Sequence, residues 1–228
     1  MDQPLASLIA ANVAFVGSHF AMSHPLRAPL VARLGEKGFA GLYSLVSLAA
    51  FAWIILAFRA VGPVGTPLWN GQGEELWALG SALTLVSLVF LMGSFKGNPA
   101  LPDTPAEVVA KARPVGMFAV TRHPMMWGFA LWALAHILVS PTPRTLVTAG
   151  AMGLLALIGS HLQDRKKAAL LGEAWEHWQG QTSYWPRWSR LGGAEAGVWI
   201  AALVLWAAAS WAHIWLANVP AGVWRWLG

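Results

Sequence analysis

LWALGSALTLVSLVFLMGSF, residues Leu76–Phe95, runs for twenty side chains without a charge, and GVWIAALVLWAAASWAHIWLA, residues Gly197–Ala217, repeats the pattern near the far end. A helix rises about 1.5 Å per residue, so about 20 apolar residues match the hydrocarbon thickness of a bilayer. Working outward, four further apolar stretches appear at Leu5–Met22, Gly38–Phe58, Phe118–Val139 and Thr145–Leu162. The fold class that follows is an all-α integral membrane protein with about six transmembrane helices. Phe118–Val139 is the least regular of them, because Arg122, His123 and Pro124 fall in its first turns. A proline starts a helix but breaks one from within, which allows the apolar part to begin only after it.

Composition supports the same class. Hydrophobic residues make up 57% of the 228 and charged residues 11%, too little polar surface to coat a water-soluble particle. Six spans and short connections leave no room for a separate extramembrane domain, so residues 1–228 read as a single membrane domain without internal repeats. Cysteine is absent, which removes disulfides, thiolate nucleophiles, zinc–thiolate sites and a cysteine haem ligand. The first stretch carries Asp2, has no basic leader and shows no small-residue cleavage pattern, so it reads as a retained span.

Lys and Arg on short loops mark the cytoplasmic side. With the N-terminus outside, the inner loops hold Arg27, Arg33, Lys37, Lys96, Lys111, Arg113, Arg122, Arg165, Lys166, Lys167, Arg187 and Arg190, twelve against Arg59, Arg144 and Arg225 outside. Both termini are therefore expected to face outward. The formal charge of +5 is accounted for by basic loops anchored to anionic lipid, which makes membrane lipids the expected partner and excludes nucleic acid. Trp127, Trp185, Trp188, Trp211, Trp215, Trp224 and Trp226 fall where spans should meet headgroups. The charged segment Gln163–Gly180, with Trp175 and Trp178 three apart, predicts a short interfacial helix anchored by those rings.

Polar side chains inside spans need a reason, since burying one in hydrocarbon is costly without a partner. Four histidines qualify: His19, His136, His161 and His213. No acidic or basic residue stands in the clean apolar portions, so buried carboxylates are not expected and a transporter or channel is disfavoured. Histidine without carboxylate or cysteine suits neutral imidazole ligation, such as a haem held between helices. Against this stands the ordinary alternative that each histidine hydrogen-bonds a backbone carbonyl, which His213, beside Trp211 and Trp215, fits best. Thr121-Arg122-His123-Pro124 forms a second polar group: a proline in a first helical turn leaves Arg122 and His123 at a mouth where free N–H groups can hold an anion or a headgroup. Ordinary snorkelling of Arg122 is the competing reading.

Two segments together carry a resemblance. Phe15-Val16-Gly17-Ser18-His19-Phe20 leads to His24-Pro25-Leu26-Arg27 and Arg33-Leu34-Gly35-Glu36-Lys37-Gly38; later, Thr121-Arg122-His123-Pro124 runs through Trp127-Gly128-Phe129-Ala130-Leu131-Trp132-Ala133-Leu134-Ala135-His136 and closes at Asp164-Arg165. This pattern, over roughly residues 13–190 with Gly197–Ala217 as an additional span, resembles the NnrU family of bacterial membrane proteins associated with denitrification, to which the zeta-carotene isomerases of phototrophs are related. The resemblance implies a bacterial inner-membrane protein with periplasmic termini that binds haem b, and a hydrophobic small molecule or a redox partner. It implies His19 and His136 as haem and metal ligands, His161 in reserve, and Arg27, Arg122 and His123 as further cofactor-binding residues. The function it implies is redox chemistry or maturation linked to nitrogen-oxide respiration, or a redox-gated isomerisation. The isomerases place a cysteine three residues before the second histidine; Ala133 stands there in this chain, which puts a ligand-exchange mechanism and carotenoid isomerisation in doubt.

Helix geometry strains the pairing, since His19 lies about 5 Å from the inner end of its span while His136 sits roughly 20 Å above the same face. His161 is level with His19. Arg122-His123-Pro124 with Gly172-Glu173, Trp175 and Trp185-Pro186 is also similar to membrane methyltransferases that bind S-adenosylmethionine, although those usually have tyrosine where Trp127 stands. A non-catalytic membrane assembly partner completes the alternatives.

Overall fold

A computed structural model describes residues 3–63, 65–101 and 104–227; Asp2 lies outside the described residues. The described chain is built of helices: α1 Gln3–Ser23, α2 Arg27–Val61, α3 Glu74–Gly93, α4 Ala106–Ala110, α5 Met117–Val120, α6 Pro124–Val139, α7 Pro143–Leu171, α8 Glu173–Gln181, a 3₁₀ turn Trp188–Gly193, α9 Ala196–Ala217 and α10 Trp224–Leu227. Five of them, α1, α2, α3, α7 and α9, are long and apolar enough to cross a bilayer, and α6 is a shorter apolar helix. They pack side by side in the order α2, α1, α7, α6, α3, α9. Leu45, Leu48, Leu56, Ile200 and Val204 face outward and exposed, the surface expected of helices solvated by lipid.

Gly35 breaks the helical geometry of α2 with φ 69° and ψ 169°, splitting a short amphipathic start from the apolar helix expected from Gly38 onward. The expected Phe118–Val139 span is divided. The residue before a proline is pushed out of the α region, and His123, at φ −121° and ψ 54°, separates α5 from an α6 that starts on Pro124. The expected interfacial segment Gln163–Gly180 is also redrawn: Gln163–Leu171 continues α7, Gly172 ends it at φ 52°, and α8 alone is separate. Trp175 and Trp178 are fully buried there, packed with Ala100, Val109 and Phe118, so they hold the α4–α8 layer together instead of anchoring it in headgroups.

Candidate functional site

The extended residues between α5 and α6 are held by a second extended segment. Arg122 N donates to Ser183 O at 2.8 Å, Arg187 N donates to Val120 O at 2.9 Å, and Thr121 Oγ1 donates to Tyr184 O at 2.7 Å. Trp127 Nε1 caps the same carbonyl at 2.8 Å. These bonds satisfy non-helical backbone that would otherwise lie unpaired at the end of an apolar helix.

Thus positioned, Arg122 and His123 converge on Asp164 of α7. Arg122 Nη2 and Nε donate to Asp164 Oδ2 at 2.6 and 2.9 Å, and His123 Nε2 donates to Oδ1 at 2.8 Å. The Arg122 and Asp164 side chains are only 12% and 7% exposed, so this is a buried charge pair. Tyr184 packs over both partners, its ring centre 5.7 Å from the Arg122 guanidinium carbon and 5.7 Å from the His123 ring. Its hydroxyl donates to Leu157 O at 2.6 Å.

Two expectations are corrected here. Arg122 does not snorkel, because its Nε and Nη2 are held by Asp164. A buried carboxylate does exist: Asp164 follows the apolar stretch in sequence, and the continuation of α7 carries it inside. One signal was available, since Asp164 is the sole acidic residue between Glu107 and Glu173.

Beside this cluster a cavity of about 930 Å³ opens between α1, α2, α6 and α7, with Phe15, His19, Tyr43, Phe129 and Met152 among its walls. That is the size of pockets that enclose a sizeable organic ligand. Arg27, Glu36, His24 and Lys166 line one end. Arg27 Nη2 pairs with Glu36 Oε2 at 3.0 Å, and burial, aided by the charge of Lys166, pushes the His24 imidazole below its ordinary pKa. A smaller recess of about 170 Å³ is lined by Arg122, His123 and Asn98, and shares Ala100, Met126 and Gln163 with the cavity.

His19 Nδ1 donates to Phe15 O at 2.7 Å, which leaves Nε2 as the bare nitrogen, and its ring lies 5.4 Å from that of Tyr43. His136 Nδ1 donates likewise to Trp132 O at 2.8 Å, but its ring neighbours are Trp132 at 4.3 Å and His213 at 6.3 Å. The structure does not bring His19 and His136 together. Phe20, next to His19, meets α7 at Gly159, whereas His136 precedes the short loop into Pro143 at the start of α7. Sixteen residues of helix separate those levels, about 24 Å. His161 is exposed and flanks Tyr184 at 6.5 Å between ring centres. Among the described residues, no group of three or more His, Cys, Asp or Glu is placed to hold a metal ion.

Comparison with known proteins places this sequence in a family. The model for the NnrU protein family matches residues 7–221. The chain belongs to the NnrU family. It is 31% identical over 166 residues to the chloroplastic 15-cis-zeta-carotene isomerase of Arabidopsis thaliana and 30% identical over 166 residues to that of Zea mays. Each match covers 67% of this chain and 42% of the relative, so the NnrU chain spans about two fifths of the length of these curated relatives. No solved structure matches it. The methyltransferase alternative gains nothing from the site: Arg122 is held by Asp164, and Glu173 is exposed at the first turn of α8.

Proposed function

We propose that this NnrU protein is a haem b isomerase of the inner membrane, with termini outside, that turns over a long apolar unsaturated molecule in the cavity between α1, α2, α6 and α7. The observation that carries the proposal is the cavity itself: apolar and aromatic walls around the His19 Nε2, with Arg27, Glu36 and Lys166 at one end. The side chains suit haem b. His19 supplies an Nε2 whose tautomer the Phe15 carbonyl fixes, and Lys166, with Arg27 once a propionate displaces its partner Glu36, would supply charge for the propionates. When bound, haem would supply an iron centre able to change redox state, the chemistry of redox-gated isomerisation.

The chain's own groups do the rest. Phe15, Phe129 and Met152 hold an apolar chain and exclude water. Arg122, which lines the recess that joins the cavity, has its charge balanced by Asp164 behind it. The resemblance makes His136 the second ligand, but bringing it to His19 requires the two ends of the bundle to approach by roughly 20 Å, so His19 is the ligand carried forward. Ala133, 3% exposed and next to Gly153 of α7, offers no donor atom, which excludes ligand exchange at that position. A nitrogen-oxide role has no side chain in the site to support it.

The test is the visible spectrum of protein purified from haem-replete cells, alongside chromatography of a cis-polyene incubated with reduced and oxidised protein. A Soret band that His19→Ala abolishes, with isomer conversion in one redox state only, is the expected result. An unchanged Soret band in His19→Ala refutes the assignment.

A further inference from the structure

The packing order α2, α1, α7, α6 makes α1 and α7 the floor of the large cavity and α2 and α6 its opposite walls. α2 closes against α7 toward the Pro143 end, where Ile54 and Ala57 cluster with Val147 and Met152 and the Arg144 guanidinium carbon lies 4.6 Å from the centre of the Phe58 ring. On the Arg27 side of that closure the cavity parts the two helices. Each wall carries a phenylalanine: Phe51 of α2 and Phe129 of α6 line the cavity and are 44% and 43% exposed. Leu48 and Ile55, a turn to either side of Phe51, are exposed on the lipid-solvated face of α2, whereas Ile54 is buried. Phe51 therefore stands at the edge where the cavity meets the lipid-facing surface. Inward from that edge its ring centre lies 6.0 Å from that of Phe15, and Phe15 lies 4.3 Å from His19. An aromatic track thus leads from the lipid-facing edge to the imidazole.

We propose that the slot between Phe51 and Phe129 is a lateral mouth through which a long apolar molecule enters the cavity from the bilayer, with Phe51 as its gate. The inference rests on the reading of the cavity as a site for such a molecule. Depth is the first argument. Fifteen residues run from Glu36 at the charged end to Phe51, about 22 Å of helix, and one leaflet contributes about 15 Å of hydrocarbon. The slot therefore reaches from headgroup level to the middle of the bilayer, the depth at which an apolar chain is dissolved. The second argument is the other end. Arg27, Glu36, His24 and Lys166 stand there, so an apolar molecule entering by that route would cross water and then a charged rim. Entry between Phe51 and Phe129 keeps it in an apolar medium throughout. The floor leaves room for it, since Ala156 and Gly159 of α7 are small and an added Cβ at Gly159 would already touch Phe20 at 3.9 Å.

The experiment uses the full chain in phosphatidylcholine nanodiscs. The chain has no cysteine, so Phe51→Cys and Phe129→Cys each take a single bimane label. Bimane at either position is expected to be quenched about twofold more by phosphatidylcholine brominated midway along its acyl chains than by iodide in the water, with the reverse order at Arg33→Cys. Stronger quenching by iodide at both positions overturns the proposal, because the mouth then opens to water. No quenching by either agent also overturns it, because a second copy then covers the slot. Diphenylhexatriene, a linear apolar polyene delivered from donor vesicles, probes entry itself. Phe51→Trp should slow its saturable uptake and its release by the same factor, about fivefold, and leave the half-saturating mole fraction unchanged, the signature of a gate and not of a binding contact. Unaltered rates refute the gate, and absence of saturable uptake refutes the mouth, because a lipid acyl chain then fills the cavity. A protein that shows the quenching pattern and the uptake but no Soret band refutes the haem reading alone and upholds the mouth.

Discussion

Asp164→Ala tests whether the cluster at the start of α6 is structurally decisive. The substitution removes the acceptor of four close donor contacts, three from Arg122 between 2.6 and 3.1 Å and one from His123 at 2.8 Å. It leaves a guanidinium that is 12% exposed without a counter-charge. Removing one member of a buried ion pair costs about 3–5 kcal/mol, most of it the penalty of the orphaned charge. At about 2–4 °C per kcal/mol for a chain of this size, the melting temperature in detergent should fall by about 6–20 °C. Asp164→Ala combined with Arg122→Met, which removes the charge and keeps the volume, should recover more than half of the loss. Thermal unfolding followed by near-ultraviolet circular dichroism measures both. If Asp164→Ala melts within about 2 °C of the unaltered protein, the pair is not buried as described and the cluster does not hold α5, α6 and α7 together.

At Gly128 an added Cβ would meet Ser87 O at 2.9 Å, where Ser87 Oγ also donates to Gly128 O at 2.8 Å; Gly128→Ala should cost about 1–3 kcal/mol in thermal unfolding by forcing α3 from α6. At Gly17 nothing lies within 4 Å of the added atom, so Gly17→Ala should be neutral or gain up to about 1 kcal/mol in the same assay. Thr121→Val removes the donor to Tyr184 O and should lower stability by about 1–2 kcal/mol, again read from the melt. Because burial lowers the folded-state pKa of His24, its contribution to stability is full above the unfolded value of about 6.5 and is lost as pH falls; His24→Gln should flatten the decline in melting temperature between about pH 7 and 5.

The spans were legible because twenty apolar residues in a row admit one reading, and α1, α3 and α9 end within a few residues of the limits read from hydropathy. Pro124 was legible as a helix start for the same physical reason that makes it one. What hydropathy could not show was pairing between segments. Asp164 looks like the first charge beyond a span until Arg122 and His123 are seen to reach it, and Trp175 and Trp178 look like headgroup anchors until α4 is laid over them. The histidines were legible one at a time, but their neighbours were not. His213 does hydrogen-bond a backbone carbonyl, yet it also stands beside His136, and no local pattern relates residues 77 positions apart.

The polar cluster and the apolar cavity bear on one another through Ala100, Met126 and Gln163, which line both. α6 has 16 residues, about 24 Å of helix, short of the roughly 30 Å of hydrocarbon, so the extended residues before it are drawn toward membrane depth. Unpaired backbone there would be prohibitive in contact with lipid, and the bonds from Arg122, Thr121 and Trp127 to the 183–184 carbonyls remove that cost. Arg122 and Met126 line the recess at the start of that short helix, and Asp164, outside its lining, is the counter-charge of Arg122. A guest entering that recess from the cavity meets polar groups already satisfied by one another, which favours an uncharged apolar ligand over an anion. Arg27 and Lys166 stand at the other end of the cavity, where Arg27 already meets an acidic group, Glu36, at 3.0 Å. The two ends of one cavity therefore differ in chemistry, the difference on which the haem proposal rests.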